Sequence, residues 1–258
     1  MLNFRSVNII ISLILIGFLI AYYCFNFSFI PILIVIFIWL ILTACGSAFI
    51  GWNYHFKSLN ANYNTDKNHV AITFDDGPNP NFTPRVLALL KQYNAKATFF
   101  CIGKHIEAHP DLFKSIIAQK HTVGNHTYSH ANHFGFFSTA KVTSELQQTS
   151  TIIKQLTHLN VSLYRPAFGI TNPNIKRALK MTGLQSVGWS KRSLDTTALS
   201  EKTVLHRITN NLKKGDVILL HDTSEKTIAV LEQLLLFLQQ QNIESVTIDS
   251  LFNIKAYA

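Results

Sequence analysis

Asp75 and Asp76 stand side by side after an apolar run, Val70-Ala71-Ile72-Thr73-Phe74, and before a Gly77-Pro78 turn. Val, Ile, Thr and Phe favour a buried strand, and Gly-Pro ends it. Neighbours on an extended chain face opposite ways, so the two carboxylates cannot serve one partner alike. Two like charges at the end of an apolar strand are costly unless a cation sits with them. A metal ion on one and proton transfer by the other satisfies both. A helix N-cap or an Asp-Gly turn is the plain alternative.

His126 and His130, in His126-Thr127-Tyr128-Ser129-His130, lie four residues apart, which on one helical turn puts both imidazoles on the same side. With a carboxylate, assigned to Asp76, they make the three protein ligands of an open zinc site. Histidines at this spacing also occur as surface or capping residues, but Gly124-Asn125 at a strand end favours the site. An attacking water at such a site needs a proton acceptor, a task that falls to Asp75, and the leaving group needs a donor. His221 ends the apolar run Val217-Ile218-Leu219-Leu220 and can be that donor; a buried histidine satisfied by backbone is its alternative. Asp222 is expected to cap the following turn, and His105, His109, His121 and His133 read as ordinary loop and surface residues.

The elements that must hold these groups alternate. Strand-like runs fall at 69–74, 97–102, 121–126, 161–166, 184–190, 215–221 and 244–249. Amphipathic stretches lie between them: Pro84 to Tyr93, Asp111 to Gln119, Thr143 to Leu156, Asn174 to Thr182, Val204 to Leu212 and Ile228 to Gln241. About seven strand-helix alternations predict a parallel α/β sheet, open or closed into a barrel. Asp75, Asp76, His126, Arg165 and His221 all fall at strand ends, which in a parallel barrel converge on one mouth.

Hydrophobicity is concentrated at the start of the chain. Residues 7–25 and 29–52 carry no charged side chain, and each is about as long as the ~20 residues a helix needs to cross a bilayer. They predict a membrane hairpin over 1–52, turning at Asn26-Phe27-Ser28, with one long signal peptide as the alternative. A polar linker over 53–67 leads to the catalytic domain at 68–258. Arg5, Lys57 and Lys67 flank the spans, which leans toward a cytoplasmic domain. Leu42-Thr43-Ala44-Cys45-Gly46 resembles a lipoprotein cleavage box and argues for the outside, so the side stays open. The three cysteines build neither a disulfide framework nor a thiolate site. A net charge of +9 suits an anionic lipid or polymer, and no basic-aromatic pattern points to nucleic acid.

Thr73-Phe74-Asp75-Asp76-Gly77-Pro78, His126 to His130, Arg165-Pro166-Ala167-Phe168-Gly169 and Leu219-Leu220-His221-Asp222 together resemble the ordered motifs of the polysaccharide deacetylases. This is the NodB-homology family, carbohydrate esterase family 4, and the resemblance covers about residues 68–252. It implies a distorted (β/α)7 barrel and metal-dependent hydrolysis of acetyl groups on a glycan. It implies Asp75 as base, His221 as acid, and Asp76, His126 and His130 as ligands of one divalent ion: zinc, cobalt or another. Arg165 would orient the base, and the Phe168 main chain would hold the oxyanion. Leu219 would line the acetyl pocket, and Asp195 would raise the basicity of His221. The fourth motif departs, with Thr196 where a Trp is usual, and in the third motif Ala167 replaces a second proline. Trp189 partly fills that space or belongs to the core.

The reading is an integral protein of a bacterial inner membrane whose partners are an N-acetylated polysaccharide and the lipid bilayer. No obligatory protein partner is evident. The alternatives are an O-acetyl esterase of xylan type and a catalytically silent, membrane-tethered glycan-binding protein.

Overall fold

A computed structural model describes residues 3–258. The chain opens with two helices, α1 (Phe4–Phe25) and α2 (Ile30–Ala48), packed as a hairpin. Asn3 caps α1 by accepting from the Ser6 N–H, and Asn26 ends it in the left-handed conformation that Asn tolerates. Pro31 sits in the first turn of α2, where its missing N–H costs nothing. Among the described residues one polar contact joins the pair: Trp39 Nε1 donates to Asn8 Oδ1 at 2.8 Å. Both helices are long and apolar enough to cross a membrane. The remaining protein leaves their apolar faces uncovered, with Leu13 64% and Phe37 63% exposed.

The expected second span, 29–52, is longer than the helix that forms. The chain turns at Phe49, and Ile50 is buried, so 49–52 belong to the junction with the barrel. Nor do residues 53–67 hang free as a linker. The Phe4 N–H bonds Tyr54 O, the Thr171 N–H bonds Ser47 O, and the Asn62 N–H bonds Gly215 O, at 2.8–2.9 Å. A Cβ on Gly46 would lie 2.4 Å from Cγ of Tyr54, so only glycine lets α2 seat on this segment.

The catalytic part is a parallel sheet of β1 (His69–Asp75), β2 (Ala97–Cys101), β3 (Thr122–Asn125), β4 (Leu163–Tyr164), β5 (Gln185–Ser186), β6 (Lys191–Arg192) and β7 (Val217–His221), in spatial order β5-β4-β3-β2-β1-β7-β6. A short β8 (Glu244–Ser245) pairs only with the start of β1. Of the run expected as one strand, 184–190, only Gln185–Ser186 forms a strand, β5, and β6 begins just beyond it at Lys191. At the break the Gly188 N–H turns to Leu59 O at 3.0 Å, so the chain before the barrel fills the seam. The expected strand 244–249 gives way after Ser245 to a short helix, α10 (Ile248–Phe252).

Outside the sheet lie α3 (Thr83–Gln92), α4 (Gly103–Ala108), α5 (Pro110–Ala118), α6 (Thr139–Thr157), α7 (Pro173–Thr182), α8 (Glu201–Thr209) and α9 (Glu225–Gln240). The period-2 alternation of β1 sends Val70, Ile72 and Phe74 outward into the cluster shared with these helices. Leu231, Leu234, Leu235 and Leu238 of α9 meet them there, each burial worth about 1.5–3 kcal/mol. The same alternation turns Ala71, Thr73 and Asp75 inward. The barrel interior is small, filled by Ala71, Phe100, Leu163, Val187 and Val217, and it is plugged at the mouth by polar groups.

Candidate active site

The end of β1 places Asp75 inside the barrel, 4% exposed, where an unpaired carboxylate would be costly. Arg165 answers it from the residue after β4. Nη1 reaches Asp75 Oδ1 at 2.8 Å and Thr73 Oγ1 at 2.6 Å, Nη2 reaches Gly188 O at 2.8 Å, and Nε reaches Val187 O at 3.3 Å. The guanidinium lies 4.2 Å from the Phe100 ring centroid and is completely buried. Its donors are spread over four acceptors, the condition under which a buried pair is tolerated.

Asp76 adopts φ 76°, a left-handed conformation uncommon outside glycine. Its carbonyl accepts from His105 Nδ1 at 2.7 Å, which holds the turn. Its Oδ1 lies 3.4 Å from His126 Nε2 and 3.5 Å from His130 Nε2. That oxygen is buried and has no hydrogen-bond partner. One ligand atom from each of Asp76, His126 and His130 lies within 4.8 Å of the others. An orphaned carboxylate oxygen facing two imidazole nitrogens fits a divalent cation of the zinc class. The His126 tautomer suits this too: Nδ1 donates to Arg165 O at 2.9 Å, leaving Nε2 turned to the centre. Burial alone would lower the His126 pKa, but the carboxylates of Asp75 and Asp76 raise it. Burial, and then the charge of His126, pull His130 down to about 4.

The two histidines do not share a helical turn. Residues 126–130 form an irregular loop with Thr127 (φ 65°) and His130 (φ 48°) left-handed. A β-branched residue there is strained and persists only where its surroundings fix it. Asn125 Oδ1 accepts from the Thr127 N–H at 2.9 Å while its amide donates to Leu146 O and Ser150 Oγ. Glu145, buried on α6, accepts from the Tyr128 and Ser129 N–H groups at 3.1 and 2.7 Å and from the Ser129 hydroxyl at 2.9 Å. His105, expected as an ordinary loop or surface residue, instead holds the Asp76 turn, and Glu145 looks in sequence like one more polar residue on an amphipathic helix. A carboxylate on the apolar stripe of α6 was the only signal.

His221 ends β7 opposite Asp75 in the parallel register. Its Nδ1 bonds Asp195 Oδ1 at 2.8 Å, and its backbone N–H bonds Asp195 Oδ2 at 2.8 Å. Asp195 is buried and also accepts from Ser193 Oγ and Thr227 Oγ1 at 2.8 Å. Burial would lower the His221 pKa, but the hydrogen bond and charge of Asp195, then Asp75 and Asp76, raise it to about 9. Leu219, two residues back on the same face, lines the pocket with Phe168, whose ring sits 4.5 Å from that of His130. Phe168 is itself left-handed, at φ 58°. Trp189 also lines this pocket of about 230 Å³, above Gly169, where a Cβ would meet the indole at 2.4 Å. Half-buried, it stands at the mouth and also packs against the interior core cluster. Asp222 does not cap α9, which Ser224 does; it is buried, accepts from Thr83 Oγ1, and burial pushes it up to about 7. His121 is buried as well and accepts from the Ala97 N–H.

An Asp/His/His cluster thus lies beside the register pair Asp75 and His221 at one mouth of the parallel sheet. The family model described as polysaccharide deacetylase matches residues 62–187. The chain is 34% identical over 191 residues to a peptidoglycan-N-acetylglucosamine deacetylase of Bacillus cereus, covering 72% of this chain and 89% of that one. It is 32% identical over 162 residues to a chitooligosaccharide deacetylase of Azorhizobium caulinodans, covering 61% and 75%. The solved structure of the Bc1960 peptidoglycan N-acetylglucosamine deacetylase superposes with a TM-score of 0.72 at 32% identity, over 78% of this chain and 94% of that one. A family 4 carbohydrate esterase from Streptomyces lividans in complex with acetate gives 0.66 at 28%, over 74% and 96%. This chain belongs to the polysaccharide deacetylase family and is a hydrolase of carbohydrate esterase family 4.

Proposed function

We propose that this enzyme removes N-acetyl groups from an N-acetylglucosamine-type glycan at a membrane surface, with a zinc-class ion held by Asp76, His126 and His130. The observation that carries this reading is the orphaned, buried Asp76 Oδ1 between two imidazole nitrogens, next to the register pair Asp75 and His221. A bound divalent ion supplies Lewis acidity to the acetyl carbonyl and acidity to water. Asp75, aimed by Arg165, takes the proton from the attacking water. The water oxygen bonds to the carbonyl carbon, and the Phe168 main-chain N–H faces the developing oxyanion. His221 then gives its Nε2 proton to the amide nitrogen as the C–N bond breaks, so acetate and a free amine leave. Leu219 packs on the acetyl methyl. The hairpin α1–α2 anchors the enzyme in a bacterial inner membrane.

The test is acetate release from N-acetylglucosamine oligomers and from acetylated xylan, with and without chelator. The oligomers are expected to react and chelator to stop the reaction. In Asp75→Asn, turnover is lost while metal stays bound; turnover persisting in that variant would dispose of the assigned base. His126→Ala and His130→Ala are expected to lose the metal.

A further inference from the structure

The catalytic pocket does not end at its own rim. It shares Trp189, Arg192 and Leu194 with a second groove of about 570 Å³ that runs toward the hairpin. The far wall of this groove is the turn after α2, with Phe49 and Trp52 exposed and Ile50 buried beneath them. Both the start of α1 and the end of α2 are tied to the barrel, through Phe4 N–H to Tyr54 O and Thr171 N–H to Ser47 O. The Asn26 turn is therefore the far end of the hairpin. If α1 and α2 cross a bilayer, Phe49 and Trp52 lie at its surface, the level that exposed aromatics favour.

The near wall is cationic. Lys191, Arg192 and Arg207 line the groove and no carboxylate is among its lining residues. Lys191 Nζ is fixed by the carbonyls of Asn210 and Asn211 at 2.6 and 2.9 Å. The Arg192 guanidinium lies 5.6 Å from the Trp189 ring centroid, and Arg207 Nη2 reaches Arg192 O at 3.5 Å. Arg192 and Arg207 thus stand between the catalytic pocket and an apolar, aromatic edge, with the Lys191 ammonium held at the Asn210 and Asn211 carbonyls. A neutral acetamido sugar offers them no opposite charge, whereas a phosphodiester or pyrophosphate does.

We propose that the groove binds the phosphate linkage of a lipid-carried glycan. The N-acetylated sugar would enter the catalytic pocket, the pyrophosphate would lie on Arg192 and Arg207, and an isoprenoid-type tail would pass Phe49 and Trp52 into the bilayer. The substrate is then a membrane-bound saccharide precursor, so the reaction precedes transfer of the sugar to a finished polymer. The inference rests on the deacetylase reading above.

The experiment uses the full chain in phosphatidylcholine nanodiscs. Acetate release is compared for N-acetylglucosamine joined through pyrophosphate to a C15 isoprenoid and for the soluble N-acetylglucosamine pentamer. The kcat/KM for the first is expected to exceed that for the second by at least tenfold. Arg207→Glu and Trp52→Ser should each cut that ratio at least fivefold. A ratio near one, or a ratio that Arg207→Glu leaves unchanged, overturns the proposal. Binding of the sugar-free C15 isoprenoid pyrophosphate is measured in parallel, and Arg207→Glu should weaken it about tenfold. Pyrophosphate binding with no acetate from either substrate sinks the deacetylase reading and leaves the groove standing. Pentamer turnover without pyrophosphate binding does the reverse. Full displacement by phosphatidylglycerol at equal density identifies a headgroup site only and overturns the proposal.

Discussion

Replacing Asp195 by Asn keeps the size of the side chain and removes the charge behind His221. Four donors converge on this carboxylate: His221 Nδ1, the His221 N–H, Ser193 Oγ and Thr227 Oγ1. The two hydroxyls can turn and accept from a new amide, but the His221 N–H cannot. The amide oxygen therefore stays on that N–H, and its NH2 faces Nδ1, which must accept and so stay unprotonated. His221 stands at about 9 in the wild type, against an ordinary 6.5. Losing that whole elevation amounts to ~3 kcal/mol. The protonated fraction at pH 8 would then fall from ~90% to ~3%, and at pH 6 only from nearly all to ~76%. Because Asp75 and Asp76 supply part of the elevation, ~30-fold is the ceiling on the loss at pH 8, with under ~2-fold at pH 6. The sign is fixed: the basic limb of the rate profile, near pH 9 in the wild type, moves to lower pH. Folded-state stability obeys the same linkage. The pair's contribution is fully present below pH 6.5 and fades as pH rises through about 9, so the variant's stability deficit is largest in acid. Acetate release from pH 5.5 to 9.5 and urea melts at pH 6 and 9.5 check both. A basic limb that stays in place, or an activity loss equal at pH 6 and 8, would refute the acid assignment.

Arg165→Met leaves a buried carboxylate without its cation, and unfolding in urea should show a loss of about 3–5 kcal/mol alongside lost turnover. Glu145→Ala frees the Tyr128 and Ser129 amides, so the His126–His130 loop relaxes and metal affinity should drop about 10–100-fold by titration. A Cβ at Gly77 would sit 2.4 Å from Asp222 Oδ2; Gly77→Ala is therefore expected to lower the melting temperature and shift the Asp75-Asp76 turn, read as lost acetate release.

The strand-end positions of Asp75, His126, Arg165 and His221 were legible in the sequence because apolar runs fix where strands stop. The interior plug was less so. Nothing in the order of residues says that Arg165 crosses the barrel to Asp75, although a residue after β4 faces inward by register. Spacing misled at His126 and His130, since four residues can bring two imidazoles together in a tight loop as readily as on a helix. What decided it lay far away in sequence, on Glu145. The charge-free run 29–52 overstated α2 because apolar residues 49–52 serve a barrel junction instead of the hairpin. Residues 53–67 looked like a linker because polar chains usually do, yet Leu59 and Asn62 complete the seam between β5 and β7.

The pairing of Asp75 with His221 across neighbouring strands has a further consequence. The backbone separation between the proposed base and the proposed acid is set by hydrogen bonding at the ~4.8 Å interstrand repeat, a constant of the sheet. Drift in the surrounding loops leaves that gap alone. Thr196, Trp189 and Arg192 can therefore be exchanged over generations to suit a different sugar while bond cleavage carries on unaltered.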